Sequence, residues 1–280
     1  MDEHAPDRIR LETKITAAVI VVVLLLAFLA LYVFPENTAT DFAWTIQPRT
    51  SAILIGAGYT AGAYFFLRLL FEKRWHRVQA GFLPITAFTV CMLLATLLHW
   101  GRFHQGQLPF YSWFIIYLLT PFAVPFLWWR NRSTAATELE PGDVRFSPLA
   151  RTVLRVGAAL GILAFVIVFV QPAILIGLAP WKLTELTARV FAGWSILTLA
   201  TVYSIAADGR WSAARILVES AMVGLALTLL AMPRMWADFD PAKPMTYAFV
   251  GGIAVTVIVF LLLHIWMDAR ANHRASPAMG

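Results

Sequence analysis

The stretch ITAAVIVVVLLLAFLALYVF, residues 15–34, contains no charged residue and no proline. As an α-helix, about 20 residues extend for about 30 Å, which matches the hydrocarbon thickness of a bilayer. A helix on the surface of a soluble protein needs a polar face, and this stretch has none. It is longer than the apolar core of a typical signal peptide, and no small-residue cleavage site follows it. We therefore predict a transmembrane helix that is retained in the protein.

Seven further apolar stretches follow in the chain. Of its 280 residues, 60% are hydrophobic and only 14% are charged, whereas a soluble domain is about half apolar and a quarter charged. The predicted spans are 51–71, 80–100, 110–129, 153–178, 190–207, 216–232 and 245–267. The longest polar segment between them is too short to form a domain. The predicted fold class is therefore all-α, a polytopic membrane protein with eight transmembrane helices.

Lysine and arginine are unevenly divided between the two sides of these spans. Sixteen of the 22 basic residues fall on the side of the N-terminus. The positive-inside rule therefore predicts that the N- and C-termini are cytoplasmic. The net charge of +6 reflects this asymmetry, which favours contact with an anionic inner leaflet of the lipid bilayer. It requires no nucleic-acid partner.

The chain also resembles itself. At a shift of 137 residues four identities align without a gap, and further matches follow at shifts of 136 and 132. The matches are Pro35 with Pro172, Trp44 with Trp181, Thr50 with Thr187, Gly56 with Gly193, Arg74-Trp75 with Arg210-Trp211, Arg102 with Arg234 and Pro109 with Pro241. We interpret this as a tandem duplication of a four-span unit, 1–142 and 143–280. Because four is even, the two units are predicted to be parallel, related by an axis along the membrane normal.

The loop HWGRFHQGQLP, residues 99–109, contains two histidines, but its counterpart in the second unit contains none. The shared arginines, Arg102 and Arg234, are predicted to cap the last carbonyl groups of the third and seventh spans. Axial haem ligands must lie at one depth, and His99 and His264 lie at opposite ends of their spans. The sequence therefore predicts no metal site and no cofactor.

The polar and aromatic residues of the outer loops form the candidate ligand-binding surface. They are Asp41, Trp44, His99, Arg102, His104, Trp181 and Arg234. Their side chains offer hydrogen bonds and stacking faces to a ligand.

Few polar groups lie inside the spans. Glu219 is the deepest acid, and Arg215 is one helical turn before it, which predicts a local ion pair; a substrate or coupling carboxylate is the alternative. Hydroxyl groups on equivalent spans either line a cavity or bond to neighbouring helices and to their own backbone. They belong to Tyr59, Tyr64, Thr198, Thr201 and Tyr203. Pro84, Pro121 and Pro125 are expected to interrupt the third and fourth spans.

Two stretches, LLHWGRFHQGQLPFYSWFIIYLLTPFAVPFLWWRNR (97–132) and FAWTIQPRT (42–50), resemble uncharacterised multi-pass membrane proteins of bacteria. The resemblance implies a location in the bacterial plasma membrane. It implies no activity, substrate or site.

No catalytic motif is recognisable, so the sequence predicts no catalytic residue. The first hypothesis is binding or transport of a neutral or lipid-like small molecule. The second is a non-catalytic subunit or scaffold that binds another membrane protein. The third is a membrane enzyme that carries haem or a metal.

Overall fold

The structure is a computed structural model that describes residues 7–135 and 139–275. Within these residues it is all-helical and has no strand. Eight helices, α1 to α8, are long and apolar enough to cross a membrane, which confirms the predicted number of spans. They are α1 Leu11–Val33, α2 Arg49–Phe71, α3 Gln79–Leu98, α4 Leu108–Thr134, α5 Pro148–Val170, α6 Glu185–Asp208, α7 Trp211–Leu230 and α8 Pro244–Arg274.

The helix boundaries follow local capping signals as well as apolar content. The predicted fifth span continued to residue 178, but α5 ends at Val170, and a separate short helix covers Ala173–Leu178. Pro172 explains the break, because proline donates no backbone hydrogen bond and disfavours helical geometry in the residue before it. At the other end, Ser147 accepts a hydrogen bond from the backbone of Ala150. This N-cap starts α5 five residues before the predicted start.

The prolines do not break α3 or α4. Pro84 lies in the first turn of the α-helical part of α3, where its missing N–H has no helical partner in any case. Pro121 and Pro125 lie inside one continuous helix, Leu108–Asn131. The prediction that they interrupt the fourth span is therefore wrong.

The helices form two groups. In the first, α1 packs on α2, α2 on α7 and α7 on α8; in the second, α5 packs on α6, α6 on α3 and α3 on α4. Each group therefore combines the first two spans of one predicted unit with the last two of the other.

Small residues bring the helices of each group close together. A Cβ atom placed on Gly224 of α7 would lie 3.0 Å from the Cβ of Ala61 and 3.2 Å from the carbonyl oxygen of Ala57, both in α2. Gly193 of α6 is equally confined, because its Cβ would lie 2.5 Å from the Met92 side chain in α3. These contacts leave the centre of the molecule closely packed.

The outer loops contain two similar groups of three aromatic rings. They are Trp44, Phe103 and Trp113, and Trp181, Phe239 and Phe249. The first tryptophan has ring centroids 5.3 and 4.8 Å from its partners, and the second has them 5.4 and 5.2 Å away, all edge to face. Corresponding members lie 137, 136 and 136 residues apart in the chain.

The opposite ends of the helices also share contacts at this spacing. A basic residue in the first turns of α1 and α5, Lys14 and Arg151, donates to the last carbonyl groups of α2 and α6. The acceptors are Leu70 and Glu72 for Lys14, and Ala206 and Ala207 for Arg151. These bonds satisfy carbonyl groups that have no partner within their own helices.

A carboxylate also accepts the backbone N–H of a residue after α2 and of one at the start of α7. Asp7 accepts from the N–H of His76 at 3.2 Å, and Asp143 accepts from the N–H of Ser212 at 3.1 Å. Both pairs are related by a shift of 136 residues.

Candidate functional site

The two tryptophans predicted to face a ligand are buried among protein side chains. Trp44 is 2% exposed and Trp181 is 8% exposed. The indole N–H of Trp181 donates to the hydroxyl of Ser51 at 2.9 Å. Their ring faces and edges are occupied by the aromatic groups described above.

The two histidines of the outer loop have separate partners. The ring of His104 lies 3.0 Å from the hydroxyl of Thr45 and 3.3 Å from the carbonyl oxygen of Phe42. His99 lies elsewhere, where its Nε2 accepts a hydrogen bond from Arg189 at 2.7 Å. Burial, together with the charge of Arg189, lowers the pKa of His99 below its ordinary value. His99 is therefore a neutral acceptor that orients an arginine of α6.

The charged residues of the outer surface do not meet in one place. Arg234 donates to the carbonyl oxygens of Tyr32 at 2.8 Å and Val33 at 3.4 Å, so it caps α1 and not α7 as predicted. In the described part of the chain, the side chain of Arg102 makes no hydrogen bond or ion pair. Asp41 accepts a hydrogen bond from the neighbouring Thr40. The outer candidates are thus distributed over several packing sites.

The hydroxyl groups within the spans mostly bond to protein groups. The hydroxyls of Tyr59 and Tyr117 lie 2.9 Å apart in the buried interior. Thr198 and Thr201 donate to carbonyl groups of their own helix. Of the two interpretations of these hydroxyls, the structure therefore supports local bonding at these positions.

Glu219 is the exception, because it brings together polar groups from neighbouring helices. Its Oε2 accepts a hydrogen bond from the hydroxyl of Tyr64 at 2.8 Å and an ion pair from Arg68, both in α2. Its Oε1 lies 3.2 Å from Nε of Arg215, which confirms the predicted local ion pair. Only 12% of the Glu219 side chain is exposed.

Helix α8 adds His264 and Asp268 to this site. His264 lies between the two acids, with Nε2 3.7 Å from Glu219 and Nδ1 3.7 Å from Asp268. Its buried Nδ1 has no hydrogen-bond partner within residues 7–135 and 139–275. Asp268 accepts hydrogen bonds from the indole of Trp211 at 2.8 Å and pairs with Arg215 at 2.9 Å.

We refer to these seven residues as the α2–α7–α8 polar cluster. They are Tyr64, Arg68, Trp211, Arg215, Glu219, His264 and Asp268. Two guanidinium groups face two carboxylates, so the cluster has no net charge when His264 is neutral. The cluster is partly open, because Arg215 is 48% exposed. The i, i+4 spacing of His264 and Asp268 was the available sequence signal, since it places both on one helix face.

A second charged group surrounds His76 after α2. The side chain of His76 is fully buried, and Nδ1 contacts the carboxylate of Asp7. Its Nε2 lies 2.8 Å from an oxygen of Glu140, but the contact is too far from the N–H direction to form a good hydrogen bond. Burial alone would raise the pKa of Glu140, but hydrogen bonds from Arg77 and the neighbouring positive charges lower it to about 2. This group joins the N-terminal segment to the segment between α4 and α5.

Within the described residues, no group of three or more His, Cys, Asp or Glu side chains is arranged to hold a metal ion. The chain matches no family model, no curated protein and no solved structure.

Proposed function

We propose that the chain consists of two duplicated four-span units, 1–142 and 143–280, related by an approximate two-fold axis along the membrane normal. The matching aromatic groups, helix caps and carboxylate contacts support this proposal. So do the paired contacts of α1 with α2 and of α5 with α6, and those of α2 with α7 and of α6 with α3. The contacts favour a shift of 136 in the outer loops over the shift of 132 inferred from sequence. Arg102 then corresponds to Asp238 and not to Arg234.

The proposed location is the bacterial plasma membrane, with both termini and the segment 131–150 in the cytoplasm. The distribution of basic residues supports this orientation. Lys14 and Arg151, the two helix-capping cations, then lie at the cytoplasmic ends of α1 and α5.

The proposed function is binding or transport of a neutral or lipid-like small molecule at the α2–α7–α8 polar cluster. The observation that supports it is the convergence of ionisable side chains from three apolar helices around Glu219. Ionisable groups inside membrane spans are costly and are typically retained for function. Because the charges of the cluster compensate one another, a ligand that carries donors and acceptors without net charge fits it best.

Native mass spectrometry of the protein, purified gently from its own membrane, tests this function. We expect a bound small-molecule mass in the wild type that is lost in Glu219→Gln and reduced in Tyr64→Phe, the milder change. Glu185→Gln, which alters an exposed acid at the other end of the molecule, should keep the bound mass. A wild type without bound mass, or a Glu219→Gln variant that retains it, would contradict the proposal.

The second candidate function is a non-catalytic subunit or scaffold of a membrane complex. The close packing at Gly193 and Gly224 favours it, because such contacts suit a rigid body. A stoichiometric membrane-protein partner in the same mass spectra would support this alternative.

The third candidate, a haem or metal enzyme, draws no support from the histidines of the outer loop. His99 is bonded to Arg189, and His104 is bonded to the segment before α2.

A further inference from the structure

A groove lies on the surface of the other helix group, between α5 and α6. Its volume is about 270 Å³. It is lined by Thr152, Arg155, Val156, Ala159 and Tyr203. One end is therefore polar and the other aliphatic, which is the polarity of a lipid headgroup above its acyl chain.

Arg155 is the distinctive group in this groove. Its guanidinium lies 5.5 Å from the centre of the Tyr203 ring. Across the described ranges, no carboxylate lies within ion-pair distance of it, and its N–H groups make no hydrogen bond. Arg151, one turn earlier, differs because its donors are used by the last carbonyl groups of α6. The hydroxyls of Thr152 and Tyr203 also make no hydrogen bond to the described residues.

The depth of Arg155 makes an uncompensated charge unfavourable. It lies seven residues after Pro148, the first residue of α5, which is about 10 Å along the helix axis. An arginine at that depth extends toward the interface and pairs with an available anion. The phosphate of a membrane lipid is the anion found at this level.

The groove belongs to one half of the chain only. With the spacing of Lys14 and Arg151 in α1 and α5, Arg155 corresponds to Ala18. With the spacing of the carbonyl acceptors in α2 and α6, Tyr203 corresponds to Leu67. The arginine and tyrosine are therefore not required for packing a four-span unit.

We propose that this groove binds the phosphodiester headgroup of an anionic phospholipid. Arg155 pairs with the phosphate, the hydroxyls of Thr152 and Tyr203 donate to its oxygens, and Val156 and Ala159 contact the upper acyl chain. This site is separate from the α2–α7–α8 polar cluster, so it does not depend on the function proposed there.

The test is a titration of the delipidated protein with phosphatidylglycerol or phosphatidylcholine, followed by native mass spectrometry. We expect preferential binding of phosphatidylglycerol. We also expect Arg155→Gln to lower its occupancy about fivefold, the effect of losing one cation near an anionic lipid. Tyr203→Phe should cause a smaller loss and serves as the milder variant if Arg155→Gln folds poorly.

Arg132→Gln is the matched control, because Arg132 also stacks on an aromatic ring, Trp129, but does not line the groove. It should bind phosphatidylglycerol as the wild type does, and so should Glu219→Gln. Equal binding of both lipids, or equal losses in Arg155→Gln and Arg132→Gln, would overturn the proposal. Loss of lipid in Arg155→Gln with retention in Glu219→Gln separates this site from the polar cluster.

Discussion

Arg102 and Arg234 show how similar arginines after equivalent helices can have different contacts. Arg234 donates two hydrogen bonds to the end of α1, whereas Arg102 is exposed. We expect Arg234→Ala to lower the free energy of unfolding by about 1 kcal/mol, because it leaves carbonyl groups without a charged donor. Arg102→Ala should change it by less than about 0.5 kcal/mol. Thermal unfolding in detergent, followed by tryptophan fluorescence, measures both; equal losses would contradict the contacts.

His99 gives a prediction about pH. Its pKa is lowered in the folded protein by burial and by Arg189, whereas the unfolded chain has the ordinary value of about 6.5. The unfolded state therefore binds more protons as the pH falls below that value, and stability decreases. We expect a larger loss of thermal stability from about pH 7 to about pH 5 in the wild type than in His99→Gln. An identical pH dependence in the two proteins would exclude this contribution.

At the scale of helices and loops, the two aromatic groups provide a matched comparison. Phe103 and Phe239 are both 6% exposed and pack against Trp44 and Trp181 in the same geometry. We expect Phe103→Leu and Phe239→Leu each to lower the free energy of unfolding by about 1 kcal/mol, the value of an aromatic pair. Thermal melts should give similar losses. A loss confined to one variant would argue against equivalent loops.

The contact between α2 and α7 gives a second comparison. A Cβ on Gly224 would press against Ala57 and Ala61, whereas a Cβ on Gly251 in α8 would meet open space. We expect Gly224→Val to destabilise the protein by about 1–3 kcal/mol through overpacking. Gly251→Val should have little effect on the melting temperature. If both variants melt like the wild type, the close approach of α2 and α7 is incorrect.

The apolar stretches were sufficient to predict the eight helices, but not their first turns. Helices α6 and α7 begin with Glu185 and Trp211, about five residues before the predicted spans, because their first turns carry polar side chains that pack on neighbouring loops. Glu219 and its ion pair with Arg215 were predictable from helical spacing. The contributions of Arg68 and His264 were not, because they depend on which helices pack together.

At the scale of the whole molecule, the two proposed units exchange their packing partners. The pair α1 and α2 packs on α7 and α8, and the pair α5 and α6 packs on α3 and α4. Each unit therefore buries its helices largely against the other one. The α2–α7–α8 polar cluster depends on this exchange, since it combines Tyr64 and Arg68 with residues from the second unit.

The most direct test of the duplicated, parallel architecture is cysteine labelling in intact cells with a membrane-impermeant maleimide. The native Cys91 is first replaced by alanine, and single cysteines are placed at exposed positions after corresponding helices. The variants are Gln105→Cys and Ala242→Cys in the outer loops, and Lys73→Cys and Ala207→Cys at the other side. We expect labelling of the first pair in intact cells and of the second pair only after the membrane is opened. Opposite labelling within either pair would contradict the parallel arrangement.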